Sequence, residues 1–113
     1  MLALASPEAI DITGITTVAG NVIEDLTRNA RGLLALARRY DTPIHRDVRD
    51  RSCRRRDRAA VHGEGGLGGV SLDLDSVPLG DADGVDFIIE TVMRRPGEIT
   101  LCPIGPMTNV RLR

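Results

Sequence analysis

The sequence predicts an α/β fold, a partial parallel sheet with flanking helices, and three observations carry that prediction. Two stretches share one design, a β-branched apolar run that ends in a glycine turn carrying an asparagine. They are Ile12-Thr13-Gly14-Ile15-Thr16-Thr17-Val18-Ala19-Gly20-Asn21 and Glu98-Ile99-Thr100-Leu101-Cys102-Pro103-Ile104-Gly105-Pro106-Met107-Thr108-Asn109. Two amphipathic helical patterns lie between them. The resulting order, β-α-loop-α-β-α, is that of a parallel sheet, in which each crossover needs a helix.

Residues 1–5 read as the last turns of a helix, stopped by Ser6-Pro7, as if more of that helix preceded them. Residues 10–18 read as the first strand. It is apolar on both faces, as expected of a strand covered by helices on each side. Residues 23–39 form a helical pattern in which Leu26, Ala30, Leu33, Leu34 and Ala37 share one face of a 3.6-residue period. Glu24 and Asp25 in its first turn, with Arg38 and Arg39 in its last, complement the helix dipole. Asp41-Thr42-Pro43 is the expected stop, because the residue before a proline avoids helical dihedrals.

A second helix is expected from Asp81 or Asp83, either of which can cap it. Its apolar face is Val85, Ile88, Ile89, Val92 and Met93, its last turn carries Arg94 and Arg95, and Pro96-Gly97 ends it. Residues 98–104 read as the second clear strand. A last helix is expected near Pro106, a residue suited to a first helical position.

Composition sets the bounds. A chain of 113 residues with 42% hydrophobic content and a net charge of −1 is expected to form one globular domain, neither disordered nor embedded in a membrane. No stretch approaches the ~18–20 apolar residues needed to span a bilayer. Met1 to Ser6 has no basic start and too short an apolar run for a signal peptide. Cys53 and Cys102 lack metal or redox spacing and read as reduced thiols of a cytoplasmic protein. All 15 basic residues are Arg, a bias that a GC-rich coding sequence produces without selection on the protein.

The two glycine–asparagine turns, together with Val61-His62-Gly63-Glu64-Gly65-Gly66-Leu67-Gly68-Gly69 between them, resemble the inosine-uridine preferring nucleoside hydrolase family. The resemblance implies a Rossmann-like sheet, present here as a fragment of the nucleoside hydrolase fold. It also implies calcium-dependent hydrolysis of the N-glycosidic bond of ribonucleosides such as inosine and uridine, in nucleobase salvage, by a homo-oligomer. In such sheets ligands bind at the carboxyl ends of the strands, where loops surround a crevice and helix starts present free N–H groups.

Three residues follow from the resemblance. Asn21 matches the family's asparagine facing the ribose and the attacking water, and an amide there both donates and accepts. On its own spacing, an Asn after Gly is equally a turn-former. His62 matches a histidine on the nucleobase side, where an imidazole can stack on a base or share a proton with the leaving group. Without the motif it is a loop histidine. Ile104 matches a position whose main-chain carbonyl is a calcium ligand, in keeping with the preference of this hard ion for oxygen. Asn109 would then brace the loop from the helix start.

Other family features fall outside the chain. The Asp-rich signature that supplies most metal ligands and the base precedes the part that residues 1–8 resemble. The His-Asp pair that protonates the leaving base lies beyond Arg113. Asp73, Asp75, Asp81 and Asp83 read as caps and solvated turns, without EF-hand spacing. Loss of a general base alone costs ~10²–10⁴ in rate, so the chain by itself is expected to be inactive.

Residues 1–113 are thus expected to form a partial nucleoside hydrolase domain with a family-divergent segment at 45–59. Seven Arg and three Asp fall between Arg46 and Arg58, the texture a local reading-frame slip would leave. An alternative is a non-catalytic remnant, or a small protein binding nucleic acid or another polyanion through the Arg cluster. The interspersed aspartates and the single Tyr and single Phe argue against nucleic acid, since no stacking platform exists. A sheet cut to a few strands also leaves an edge and apolar faces uncovered, which favours self-association.

Overall fold

The computed structural model describes residues 3–18, 26–46, 67–72, 76–105 and 107–111. After a short 3₁₀ turn at Ala3–Ala5 come strand β1 (Ile15–Thr17), helix α1 (Leu26–Leu36), strand β2 (Ile44–Arg46), helix α2 (Gly84–Arg94) and a final helical turn, α3 (Thr108–Arg111). The strands pair in parallel, with Ile15 opposite Ile44, Thr16 opposite His45 and Thr17 opposite Arg46. Ile15 N donates to the Pro43 carbonyl at 2.9 Å. On the other edge of β2, Leu79 forms a parallel bridge to Ile44, and Gly80 N donates to the Ile44 carbonyl at 2.8 Å.

Alternation along the strands sends successive side chains to opposite faces. Ile15 and Ile44 pack on one face with Leu34 of α1, Val77, Ala30, Ala35 and Leu4. Leu34, Ile44 and Val77 are fully buried there. Thr16 and His45 face α2 instead, where a Cβ on Gly84 would meet Thr16 at 3.4 Å and where the His45 ring lies on Phe87. The two-stranded sheet is thus covered by α1 on one side and α2 on the other, as the apolar character of residues 10–18 predicts.

Helix α1 is anchored at its start by a hydrogen bond between the Thr17 and Thr27 hydroxyls at 2.8 Å. Arg31 Nε, further along the helix, donates to the Val77 carbonyl. The buried stripe is narrower than expected. Leu34 and Ala30 face the core, whereas Leu33 and Leu36 are exposed. A two-stranded sheet offers too little area to cover the whole apolar face. The helix also ends before Asp41-Thr42-Pro43. Arg38 takes a left-handed conformation (φ 54°), Arg38 N donates to the Ala35 carbonyl and Arg39 N to the Leu34 carbonyl. This paired closure is a Schellman motif with arginine in the position where glycine is usual.

Helix α2 starts where the sequence predicts. Asp83 is its cap, with the carboxylate accepting from Val85 N at 2.9 Å. Asp86 sits in the first turn, Arg94 in the last, and Gly97 follows at φ 81°. A close approach explains Gly14, where a Cβ would lie 2.5 Å from Phe87 Cζ. Arg95 ties the far end of the helix to β1's approach by donating to the Thr13 hydroxyl at 3.0 Å.

Residues 98–104 depart from expectation. They form no ladder, and Leu101 and Ile104 are exposed. Their β-branched composition suits a strand, but a strand exists only when its N–H and C=O groups find a neighbour. Among the described residues none lies alongside them. Conversely, β2 was not predicted as a strand. It is formed by the first residues of the segment expected to diverge, His45 and Arg46, together with Ile44.

Candidate functional site

The carboxyl end of β1 is where the chain's distant parts meet. After Thr17 the strand stops, and Val18 is the last described residue before Gly20 and Asn21 in the sequence. Against this end lies the turn at Gly105, where a Cβ would be 3.9 Å from Val18 Cγ1. Asn109, in α3, is buried, and its Nδ2 donates to the Thr17 carbonyl at 3.3 Å. Gly84 at the start of α2 packs against the same amide, since a Cβ there would come within 3.5 Å of Asn109 Nδ2. The start of α2, the 104–105 turn and α3 therefore converge on one strand end, as ligand sites of parallel sheets require.

The amide of Asn109 is only half satisfied. Its Oδ1 is buried without a hydrogen-bond partner among the described residues. A buried acceptor left unpaired costs about 1–3 kcal/mol, so the residue is kept at this position against its own solvation preference.

Ile104 stands one residue before the turn at Gly105, with its side chain 95% exposed. It makes no core contact, and the run leading to it forms no ladder. What Ile104 can offer a hard cation is a single main-chain oxygen, which fits one place in a calcium shell of 6–8 oxygens. Among the described residues no group of three or more His, Cys, Asp or Glu side chains is placed to hold a metal ion. Asn21 and His62 lie outside the described residues, as do Cys53, Asp73, Asp75 and the Arg-rich segment from Asp47 to Arg58. Cys102 is exposed.

One buried polar side chain escaped the sequence reading. His45 is 6% exposed, stacks on Phe87, and its Nδ1 lies 2.9 Å from the Ala82 carbonyl. Because a carbonyl only accepts, Nδ1 carries the proton and donates. A histidine at the head of a charged run gives no local sign that it is a core residue. Near the surface, Arg39 Nε donates to Asp41 Oδ1 at 3.2 Å. That bond, followed by a backbone hydrogen bond within Asp41, holds the Asp41 carboxyl below its ordinary pKa. This pair lies at the end of α1 and takes no part in the strand-end site. No helix among the described residues is long and apolar enough to cross a membrane.

The sequence profile of the inosine-uridine preferring nucleoside hydrolases matches residues 1–112. An uncharacterized protein of Schizosaccharomyces pombe is 44% identical over 99% of the chain, which covers 37% of that protein. A probable uridine nucleosidase of Arabidopsis thaliana is 39% identical over 98% of the chain and 35% of its own length. A pyrimidine-specific ribonucleoside hydrolase of Salmonella arizonae is 39% identical over 99% of the chain and 36% of its own length. The chain spans 35–37% of the length of these relatives. With the strand-end geometry and a profile match that runs almost from end to end, the chain belongs to the inosine-uridine preferring nucleoside hydrolase family.

Proposed function

We propose that the protein serves, as part of a complete nucleoside hydrolase domain and not as residues 1–113 alone, in hydrolysis of the N-glycosidic bond of ribonucleosides to ribose and free base, in the cytoplasm, as a homo-oligomer, with calcium at the carboxyl end of β1. The observation that carries this reading is the Asn109–Thr17 hydrogen bond, which draws the Ile104–Gly105 turn to the mouth of β1. The Gly105 turn lies against Val18, three residues before Asn21 in the sequence.

In this reading the Ile104 carbonyl would be one of the oxygen ligands of the ion. When bound, calcium supplies a nucleophile drawn from water at neutral pH. The Asn21 amide donates to and accepts from ribose hydroxyls, fixing the sugar relative to the attacking water. His62 stacks on the base or passes a proton to it as the bond breaks. The printed names of the relatives, uridine nucleosidase and pyrimidine-specific ribonucleoside hydrolase, support ribonucleosides as the substrate class.

The test is ribose release from inosine and from uridine, with calcium and after chelation. It is run on the chain and on a chimera in which the chain replaces its matching segment in the Salmonella arizonae relative. The chimera is expected to release ribose only with calcium. A chimera that folds like its parent yet releases none, or is indifferent to chelation, overturns the reading.

A further inference from the structure

We infer that Asn109 is a positioning residue for the Ile104 carbonyl, an inference that rests on the calcium reading above. Three features separate it from an ordinary buried side chain. It is 8% exposed, so its amide is committed to protein surroundings. Its Nδ2 donates to the Thr17 carbonyl, 92 positions away, at 3.3 Å. Its Oδ1 is buried with no hydrogen-bond partner among the described residues.

A position selected only to fill space would hold leucine, which matches the volume and leaves no orphaned oxygen. An asparagine that keeps one anyway serves its donor. The Thr17 carbonyl ends β1, and binding it fixes α3, which follows Ile104 and Gly105 closely in the chain, to the strand. Val110 N donates to the Met107 carbonyl at 3.1 Å, which closes a turn around Asn109 and shortens the link back to Gly105. Residues 98–104 form no ladder and cannot set the height of Ile104 by pairing. The Asn109 tie and the Gly105–Val18 approach both link this region to the end of β1. Gly84 leaves room for the amide, because a Cβ there would press toward Nδ2 from 3.5 Å.

The test uses Asn109→Leu, which removes both amide atoms, and Asn109→Asp, which keeps the size but replaces the donor with an acceptor. Urea unfolding and amide hydrogen exchange at Gly105 and Val18 are measured on the chain, and calcium affinity by calorimetry on the chimera. Asn109→Leu is expected to keep or raise the unfolding midpoint while exchange at Gly105 accelerates. Calcium binding should weaken about 10- to 100-fold in both variants, the range over which outer-shell partners act. Unchanged calcium affinity and Gly105 exchange in both variants would overturn the inference. So would affinity losses that merely follow the unfolding midpoint. A parent chimera that binds no calcium overturns the underlying reading itself, and is recognised before any variant is made.

Discussion

The ring of His45 lies flat on that of Phe87, with centroids 3.9 Å apart and planes 15° from parallel. The stack joins the second residue of β2 to the middle of α2, and the bond from His45 Nδ1 to the Ala82 carbonyl pins its edge to the turn before the helix. Gly80 closes the third side. A methyl group there would overlap the imidazole, while Gly80 N is already committed to the Ile44 carbonyl. Neither the ring nor the backbone can yield without losing a bond. Gly80→Ala is therefore expected to destabilise the chain by about 1–3 kcal/mol, as overpacking does elsewhere. Urea unfolding monitored by circular dichroism checks it, and an unchanged midpoint would refute the packing argument.

The parts of this fold that were legible in the sequence are those set by neighbours in the chain. Asp83 as a cap and the apolar spacing of α2 are local facts, readable from a few residues. The strand expected at 98–104 shows the limit. Ile99, Thr100 and Leu101 favour extended backbone, but a ladder needs a partner that no local pattern specifies. Strand β2 was hidden for the converse reason, being three residues long and running into charge. At the site, Asn21, Ile104 and the bracing Asn109 were singled out by motif, whereas the partner that Asn109 takes, the Thr17 carbonyl 92 positions away, was not legible.

Arg38 closes α1 in a left-handed conformation at φ 54°. A side chain with a Cβ pays about 1–2 kcal/mol there, part of which glycine recovers before its larger unfolded-state entropy offsets the gain. Arg38→Gly should raise stability by up to about 1 kcal/mol. The unfolding midpoint is the measurement, and a clear decrease would show that the arginine side chain contributes more than its backbone strain removes.

Asp41 offers a pH test. The hydrogen bond from Arg39 holds its carboxyl below the ordinary value. A depressed folded pKa means that the contribution to stability is full above the unfolded pKa and is lost as pH falls through the folded one. The effect on stability is small, because the Asp41 carboxylate faces solvent. The titration itself is the readout. Carbon-detected NMR should place the Asp41 midpoint below the usual ~3.9 of a free aspartate. Arg39→Gln should return it upward, and an Asp41 midpoint already at that value in the parent chain would remove the bond from consideration.

Ile104 separates main chain from side chain. With 95% of its side chain exposed, Ile104→Ala should shift stability by no more than ~0.5 kcal/mol. If the carbonyl is what matters, calcium dependence in the chimera should be unchanged as well. Ile104 is one of several exposed apolar residues, with Met93, Leu101 and Met107, which together leave apolar surface uncovered. Ile104→Lys should therefore lower the self-association of the isolated chain, followed by sedimentation velocity. Equal sedimentation of the two forms would remove this surface as the cause of association.

The bond from Arg95 to Thr13 and the bond from Asn109 to Thr17 bracket β1 and join positions 82 and 92 apart in sequence. Both ties exist only once long loops have closed, which is a slow step. A substitution at Arg95 or Asn109 would therefore be felt first at a strand far from it along the polypeptide.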